Sequence, residues 1–228
     1  MPTNLGEALI IGLAVLFFPF LDGQPLLPVL PVQILWINLV ATVSLALPLA
    51  GEAMEPGLMH RPPRRPTEPL LGPFVLFRTT VVALLMTAGA IGLFLWMYGV
   101  ARRQEVLPPQ ALQEARTMAV TTVVLFQIFY LFSCRSLEGS VLRIGLLSNP
   151  AIFLGTGVLL LLQLAFVYLP SMNRWFGSTP LDAMAWGWAT LAALVVIPVV
   201  GLEKWLRRRW RSRDPSCCGP DRFCGTIS

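Results

Sequence analysis

Charged side chains are scarce in this chain: Asp, Glu, Lys and Arg make up 13% of its 228 residues, against about 25% in ordinary soluble domains. So few charges cannot cover a water-facing surface of normal size. Histidine is nearly absent too, with His60 the single one. There is no Gly-rich phosphate loop and no Ser-His-Asp set with a workable geometry, and no apolar run holds paired carboxylates for a proton relay. These absences exclude nucleotide hydrolysis by this chain's own residues, so no catalytic residue and no cofactor-binding residue is assigned. The four cysteines form no disulfide framework: Cys134 closes an apolar run, and Cys217, Cys218 and Cys224 lie in a polar tail. The spacing of the tail cysteines fits no zinc pattern, and reduced thiols in a disordered tail are the plainer reading. No Lys or Arg precedes the first apolar run and no small-residue cleavage site follows it, so no signal peptide is expected.

Apolar sequence is what the chain has in excess. Hydrophobic residues reach 55% and the mean hydropathy is +0.69. Six runs are expected to cross a membrane: Leu5 to Leu21, which is short, then Pro31 to Ala50, Phe74 to Val100, Ala115 to Cys134, Ala151 to Leu169 and Ala183 to Leu202. In lipid, backbone groups must be bonded internally, so runs of this length are helices. A β-barrel would need short segments of alternating polarity, which are not seen. The expected fold class is therefore all-α, a polytopic membrane helix bundle with about six transmembrane helices.

The net charge of +5 does not point to nucleic acid, because the basic residues gather at helix ends and in the tail. Lys204, Arg207, Arg208, Arg209, Arg211 and Arg213 follow the last apolar run, the pattern of a cytoplasmic flank beside anionic lipid. Membrane lipid is thus the first expected partner. The loops 51–73 and 135–150 and the tail carry twelve basic residues, and the other three loops carry three. That asymmetry predicts an integral membrane protein with both termini cytoplasmic, in a bacterial plasma membrane. Aromatic residues such as Trp96, Tyr168, Trp186 and Trp205 fall near the proposed interfaces. Pro48 lies inside the second run, where it removes a backbone donor and frees the carbonyl one turn earlier. Such a carbonyl can line an ion path, although a tolerated kink is the commoner outcome.

Polar residues within the runs are costly, and three groups stand out. Asn4 and Glu7 are three apart and share a helix face. They suit a cation, and equally suit a helix N-terminus, where Asn caps and Glu meets the positive end of the dipole. Asn38 and Thr42 are four apart in the second run, with Ser44 beyond. Their oxygens suit a hard cation or hydrogen bonds between helices. Gln127 lies deep in the fourth run, with Thr122 and Tyr130 nearby, and its amide serves either use.

Several segments together resemble P-type cation-transporting ATPases of the calcium-pump type. Pro-Val-Gln-Ile-Leu-Trp-Ile-Asn-Leu-Val at 31–40 resembles the start of that family's sixth transmembrane helix. Met-His-Arg-Pro-Pro-Arg-Arg-Pro at 59–66 resembles the Met-x-Arg-Pro-Pro-Arg segment after it. Asn-Leu-Gly-Glu at 4–7 resembles the Asn-x-Gly-Glu of the fifth helix, and Ala-Arg-Thr-Met-Ala at 115–119 the start of the eighth. The resemblance covers about residues 4–210 and implies helices five to ten, with the chain opening inside the fifth. It implies a membrane domain over 1–210, followed by a polar cytoplasmic tail over 211–228, expected to be disordered.

The resemblance also implies cation-binding residues. Asn4 and Glu7 match fifth-helix ligand positions, and Asn38 matches a sixth-helix ligand. Where calcium pumps have Thr-Asp after Asn-Leu-Val, this chain has Ala41 and Thr42. Gln127 falls near an eighth-helix position that is Glu in calcium pumps. Two acidic ligands are thus neutral here, which weakens divalent binding and leaves calcium, magnesium or a monovalent cation as the transported ion. The family's Asp-Lys-Thr-Gly-Thr, its nucleotide-binding domain and its Thr-Gly-Glu actuator loop do not occur in the sequence. ATP and magnesium are therefore expected only through those missing domains, supplied in trans or by a longer chain. The alternative is a non-transporting membrane partner or remnant that docks on another pump.

Overall fold

A computed structural model describes residues 2–21, 24–50, 73–103, 108–134 and 150–211. The Arg-Pro-Pro-Arg segment and the cysteine-bearing tail lie outside the described residues.

Proline starts most of the helices. Pro2, Pro31, Pro73, Pro108, Pro150 and Pro170 are each the first residue of one. Proline suits that place because its fixed φ is already helical and its missing N–H would find no intrahelical acceptor there. Helix α1 runs Pro2–Phe17, and a two-residue antiparallel ribbon follows, β1 (Phe20–Leu21) against β2 (Gln24–Pro25). The expected first span ran on to Leu21, but Pro19 ends it, since the residue before a proline is pushed out of the helical region. Helix α2 (Pro31–Ala41) passes into a π-helical turn, Thr42–Ala46, and then into α3 (Leu47–Ala50). Pro48 accounts for the irregular turn: it has no N–H for the carbonyl of Ser44, four residues back.

Helix α4 spans Pro73–Arg103 and α5 spans Pro108–Cys134. Helix α5 begins seven residues before the expected Ala115, because its first turns carry Gln110, Gln113 and Glu114 and stand outside the apolar pattern. Then come α6 (Pro150–Tyr168), the short α7 (Pro170–Phe176), α8 (Ala183–Leu194) and α9 (Val196–Arg211). Gly177 closes α7 in the left-handed region at φ 63°, its N–H on the carbonyl of Asn173. Helices α8 and α9 read as one run in the sequence and break at Val195, one turn before Pro198 takes a donor from Leu194.

The architecture is an all-α polytopic membrane bundle. Among the described residues, four helical stretches are long and apolar enough to cross a membrane: Val75–Ala101, Pro109–Ser133, Ala151–Tyr168 and Ala183–Leu206. Pro2–Phe17 and Pro31–Ala46 are shorter apolar helices. Helix α5 is the axis: 78% of its apolar window is buried, against 28–33% for the other three, whose apolar faces are left for lipid. It packs against α4, α8, α2 and α6, while α1 lies along α4. The α5–α8 seam is built from Ala185, Ala189 and Ala193, spaced four apart and all buried. Small side chains bring membrane helices close enough for van der Waals contact to hold them.

Candidate functional site

The site forms where α1, α2 and α5 meet. Gly6 sets its first wall. A Cβ there would meet the flexible end of Met86 and lie 3.3 Å from the carbonyl of Ala83, so glycine lets α1 come this near α4 without displacing either. The hydroxyl of Thr87, with one proton to give, lies within hydrogen-bond reach of the carbonyls of Ala83 (2.8 Å) and Gly6 (3.2 Å), and so bridges the two helices. Glu7, the next residue, is thereby held inside the bundle at 5% exposure.

Two amides converge on its carboxylate. Asn38 Nδ2 on α2 donates to Glu7 Oε2 at 2.8 Å, and Gln127 Nε2 on α5 donates to Oε1 at 3.0 Å. The three residues are separated by 31 and 120 positions in sequence, yet share one point. Hydrogen bonds to an ionised acceptor are about twice as strong as neutral ones. Here they take the place of water around a carboxylate that is expensive to bury. Ile10, Val29, Ile34, Ile37 and Val123 line the crevice beside it, so the polar cluster has apolar walls.

The chemistry of the donor set is that of exchange. An amide offers N–H on one side and a carbonyl oxygen on the other. As observed, both amides present nitrogen to Glu7. Turned about their terminal bonds, they present two neutral oxygens beside the carboxylate, the kind of set that hard cations take. One carboxylate with neutral oxygens is a lower-charge site than a pair of carboxylates.

Of the five residues expected from the sequence, the structure brings together Glu7, Asn38 and Gln127. Asn4 is exposed and accepts a hydrogen bond from Thr3 at 3.3 Å, one turn before Glu7 and outside the cluster. Thr42 opens the π-helical turn, and its side chain lies outside the described residues. That turn is seated against α6 at Gly155, where a Cβ would collide with the carbonyl of Ser44 and lie 2.6 Å from Pro48 Cγ. π-Helical turns inside α-helices occur often at functional sites.

Gln33 was not singled out among the polar residues of the second run, although its signal was the same as that of Asn38. It is fully buried, accepts from the N–H of Leu30 at 3.0 Å and donates to the carbonyl of Phe176 at 2.9 Å. It ties the start of α2 to the end of α7. Trp36, one turn later, packs on Phe166 and Phe176. Arg116 donates to the carbonyl of Leu27 at 3.0 Å and holds the segment that leads into α2. A second buried polar line joins α5 to α6: Gln163 donates to the hydroxyl of Thr121 at 3.1 Å.

The long apolar helices define a polytopic membrane domain with one buried carboxylate and two amides at its centre. The family described as "Cation transporting ATPase, C-terminus" matches residues 26–206. The chain belongs to this family: it is the C-terminal transmembrane region of a P-type cation-transporting ATPase. It is 40% identical over 208 residues to "Probable cation-transporting ATPase F" of Mycobacterium tuberculosis, covering 91% of this chain and 21% of that protein. It is 34% identical over 205 residues to "Cation-transporting ATPase pma1" of Synechocystis, covering 87% and 21%. With "Calcium-transporting ATPase 1" of Bacillus cereus it shares 28% identity over 207 residues, covering 88% and 22%. The chain thus spans about a fifth of the length of the curated relatives it matches.

Proposed function

We propose that this chain supplies the cation pathway and the rigid membrane support of an ATP-driven cation pump. The observation that carries this reading is the meeting of Glu7, Asn38 and Gln127 from three helices at one buried point. Glu7 contributes the charge, and the two amides contribute neutral oxygens when they turn. Thr42, which opens the π-helical turn after α2, is proposed as an accessory ligand, whereas Asn4, exposed one turn before Glu7, is left out of the set. The π-helical turn and Gly155 support the α2 side, and α5 supplies a fixed floor. Phosphorylation, nucleotide binding and the use of ATP and magnesium belong to domains supplied by a longer chain or by a second one. The transported ion is a hard cation, with calcium, magnesium and monovalent ions the candidates and the low charge of the set favouring the less demanding ones. Both termini face the cytoplasm of a bacterial cell, the side on which the basic residues collect.

A second reading, a membrane partner that does not itself transport, is favoured by one observation: the carboxylate is already satisfied by amide donors within the bundle. Co-expression separates the two. The purified chain is assayed in lipid for cation-stimulated ATP hydrolysis and phosphoenzyme formation, alone and with a fragment carrying the missing domains. Activity is expected only with the fragment, and Glu7→Gln is expected to abolish the cation stimulation. If the complete assembly works unchanged with Glu7→Gln, the ligand role of Glu7 is wrong. If the fragment brings no activity, the second reading takes its place.

A further inference from the structure

Each of the three helices that meet at Glu7 carries a branched apolar residue one turn away, and all three are displaced in the same direction. Ile10 follows Glu7 on α1, Ile34 precedes Asn38 on α2, and Val123 precedes Gln127 on α5. That direction is toward the connection between α1 and α2, which Arg116, two turns before Val123, also reaches. An apolar ring thus stacks on the polar one. Val29 from the connection and Ile37 complete the crevice, with Glu7 as its floor. Ile10, Val29, Ile37 and Val123 are all buried, and the crevice leaves no room for a water molecule. A gap this narrow with apolar walls stays dry. A dry constriction is a barrier to an ion, which would have to shed its hydration to pass.

Residues 26–30 cover this crevice, and their backbone is held on both sides of Val29. Arg116 Nε donates to the carbonyl of Leu27 at 3.0 Å, and the N–H of Leu30 donates to Gln33 Oε1 at 3.0 Å. Gln33 is anchored in turn by its Nε2 on the carbonyl of Phe176 at 2.9 Å. Pro28 is buried between the two bonds, and its ring fixes φ there. An arginine within an apolar span is costly, yet this one is directed at a single carbonyl of the connection. We propose that residues 26–30 are the outer seal of the Glu7 site, with Val29 as the plug and Arg116 and Gln33 as positioning residues that hold it shut. In the proposed orientation the plug lies on the side away from the cytoplasm, so a cation at Glu7 passes that way only when the plug lifts. The inference rests on the cation-site reading of the same cluster, but the seal is a matter of access and is measured without transport.

The test is labelling of the full chain by a membrane-impermeant maleimide in right-side-out and inside-out bacterial membrane vesicles. Cys134, Cys217, Cys218 and Cys224 are changed to Ser, and Val123→Cys is the reporter. In this parent the reporter should react slowly from either side. Arg116→Met should raise its rate about tenfold from the outer side only, the population change that follows loss of one hydrogen bond from a charged donor. Arg116→Gln, whose amide nitrogen falls at the same place along the side chain as Nε, should restore much of the protection. Val29→Ala should raise the outer-side rate as well. Leu159→Cys, buried in α6 and not part of the crevice, should stay unreactive in every variant, which separates a lifted plug from a loosened bundle. A reporter that reacts fast in the parent overturns the proposal. So does an outer-side rate unchanged by Arg116→Met or, if that variant does not fold, by Val29→Ala. A rise that is equal from both sides, or shared by Leu159→Cys, overturns it too. If labelling comes out as expected while Glu7→Gln leaves cation-stimulated ATP hydrolysis of the complete assembly intact, the seal stands and the cation-site reading fails.

Discussion

Gln127→Glu puts a second carboxylate where the first now receives an amide N–H at 3.0 Å. The substitution keeps the side-chain length and shape and changes only charge and donor capacity. At a separation of about 4 Å and an effective dielectric of about 20, two like unit charges repel by about 4 kcal/mol. The variant also loses the charge-assisted bond from Gln127. The cation-free bundle should therefore be less stable than the parent chain. A divalent cation bound between the two carboxylates removes the repulsion, so the variant should gain stability on adding calcium where the parent gains less. At a free cation concentration about a hundredfold above Kd, binding stabilises by about 2.7 kcal/mol, a rise in Tm of about 5–10 °C for a domain of this size. The assay is thermal unfolding of the purified chain in detergent, with calcium or with a monovalent salt of equal ionic strength. Adding Glu7→Gln to the variant should erase both the loss and the calcium response, since each needs two carboxylates. Gln127→Leu should show no calcium response at all. A Gln127→Glu chain that melts like the parent with and without calcium would refute the placement of Gln127 beside Glu7 in a cation site.

Gly155→Ala should destabilise the chain by about 1–3 kcal/mol, the usual cost of overpacking, because the new methyl meets the carbonyl of Ser44 and Pro48; a thermal melt equal to the parent's would show that α6 does not press on the π-helical turn. Gln33→Leu should cost about 1–3 kcal/mol for each of the two backbone groups it leaves unpaired, at Leu30 and Phe176. Thermal unfolding measures that loss, and an unchanged Tm would contradict the tie between α2 and α7.

The apolar runs and their helical state were legible because a bilayer leaves little choice, and the family was legible from the segments at 4–7, 31–40, 59–66 and 115–119. A stretch of about 20 apolar residues without charge has to be a helix that spans. The individual polar residues were legible for the same reason, since each carries a cost that selection must justify. Their partners were not. Nothing in the spacing of Asn4 and Glu7 says that one faces outward and the other inward; Gly6 against Met86 and Ala83 decides it by setting how α1 lies on α4. Asn38 and Gln33 look alike in the sequence. One reaches Glu7 and the other reaches Phe176, because they sit on different sides of α2.

The sequence by itself determined the class: too few charges for a soluble surface, enough apolar length for a bundle, and motifs that place it at the C-terminal end of a cation pump. Local chemistry also marked where elements begin and bend, as prolines start six helices and Pro48 produces the irregular turn. Only the tertiary structure decided which polar residues meet. Hydrophobicity has no direction and tells a helix only to be in the membrane. The rotation and depth of each helix come from contacts between close-packed surfaces, where Ala189 and Gly155 let backbones approach and Thr87 and Gln33 tie one helix to the next.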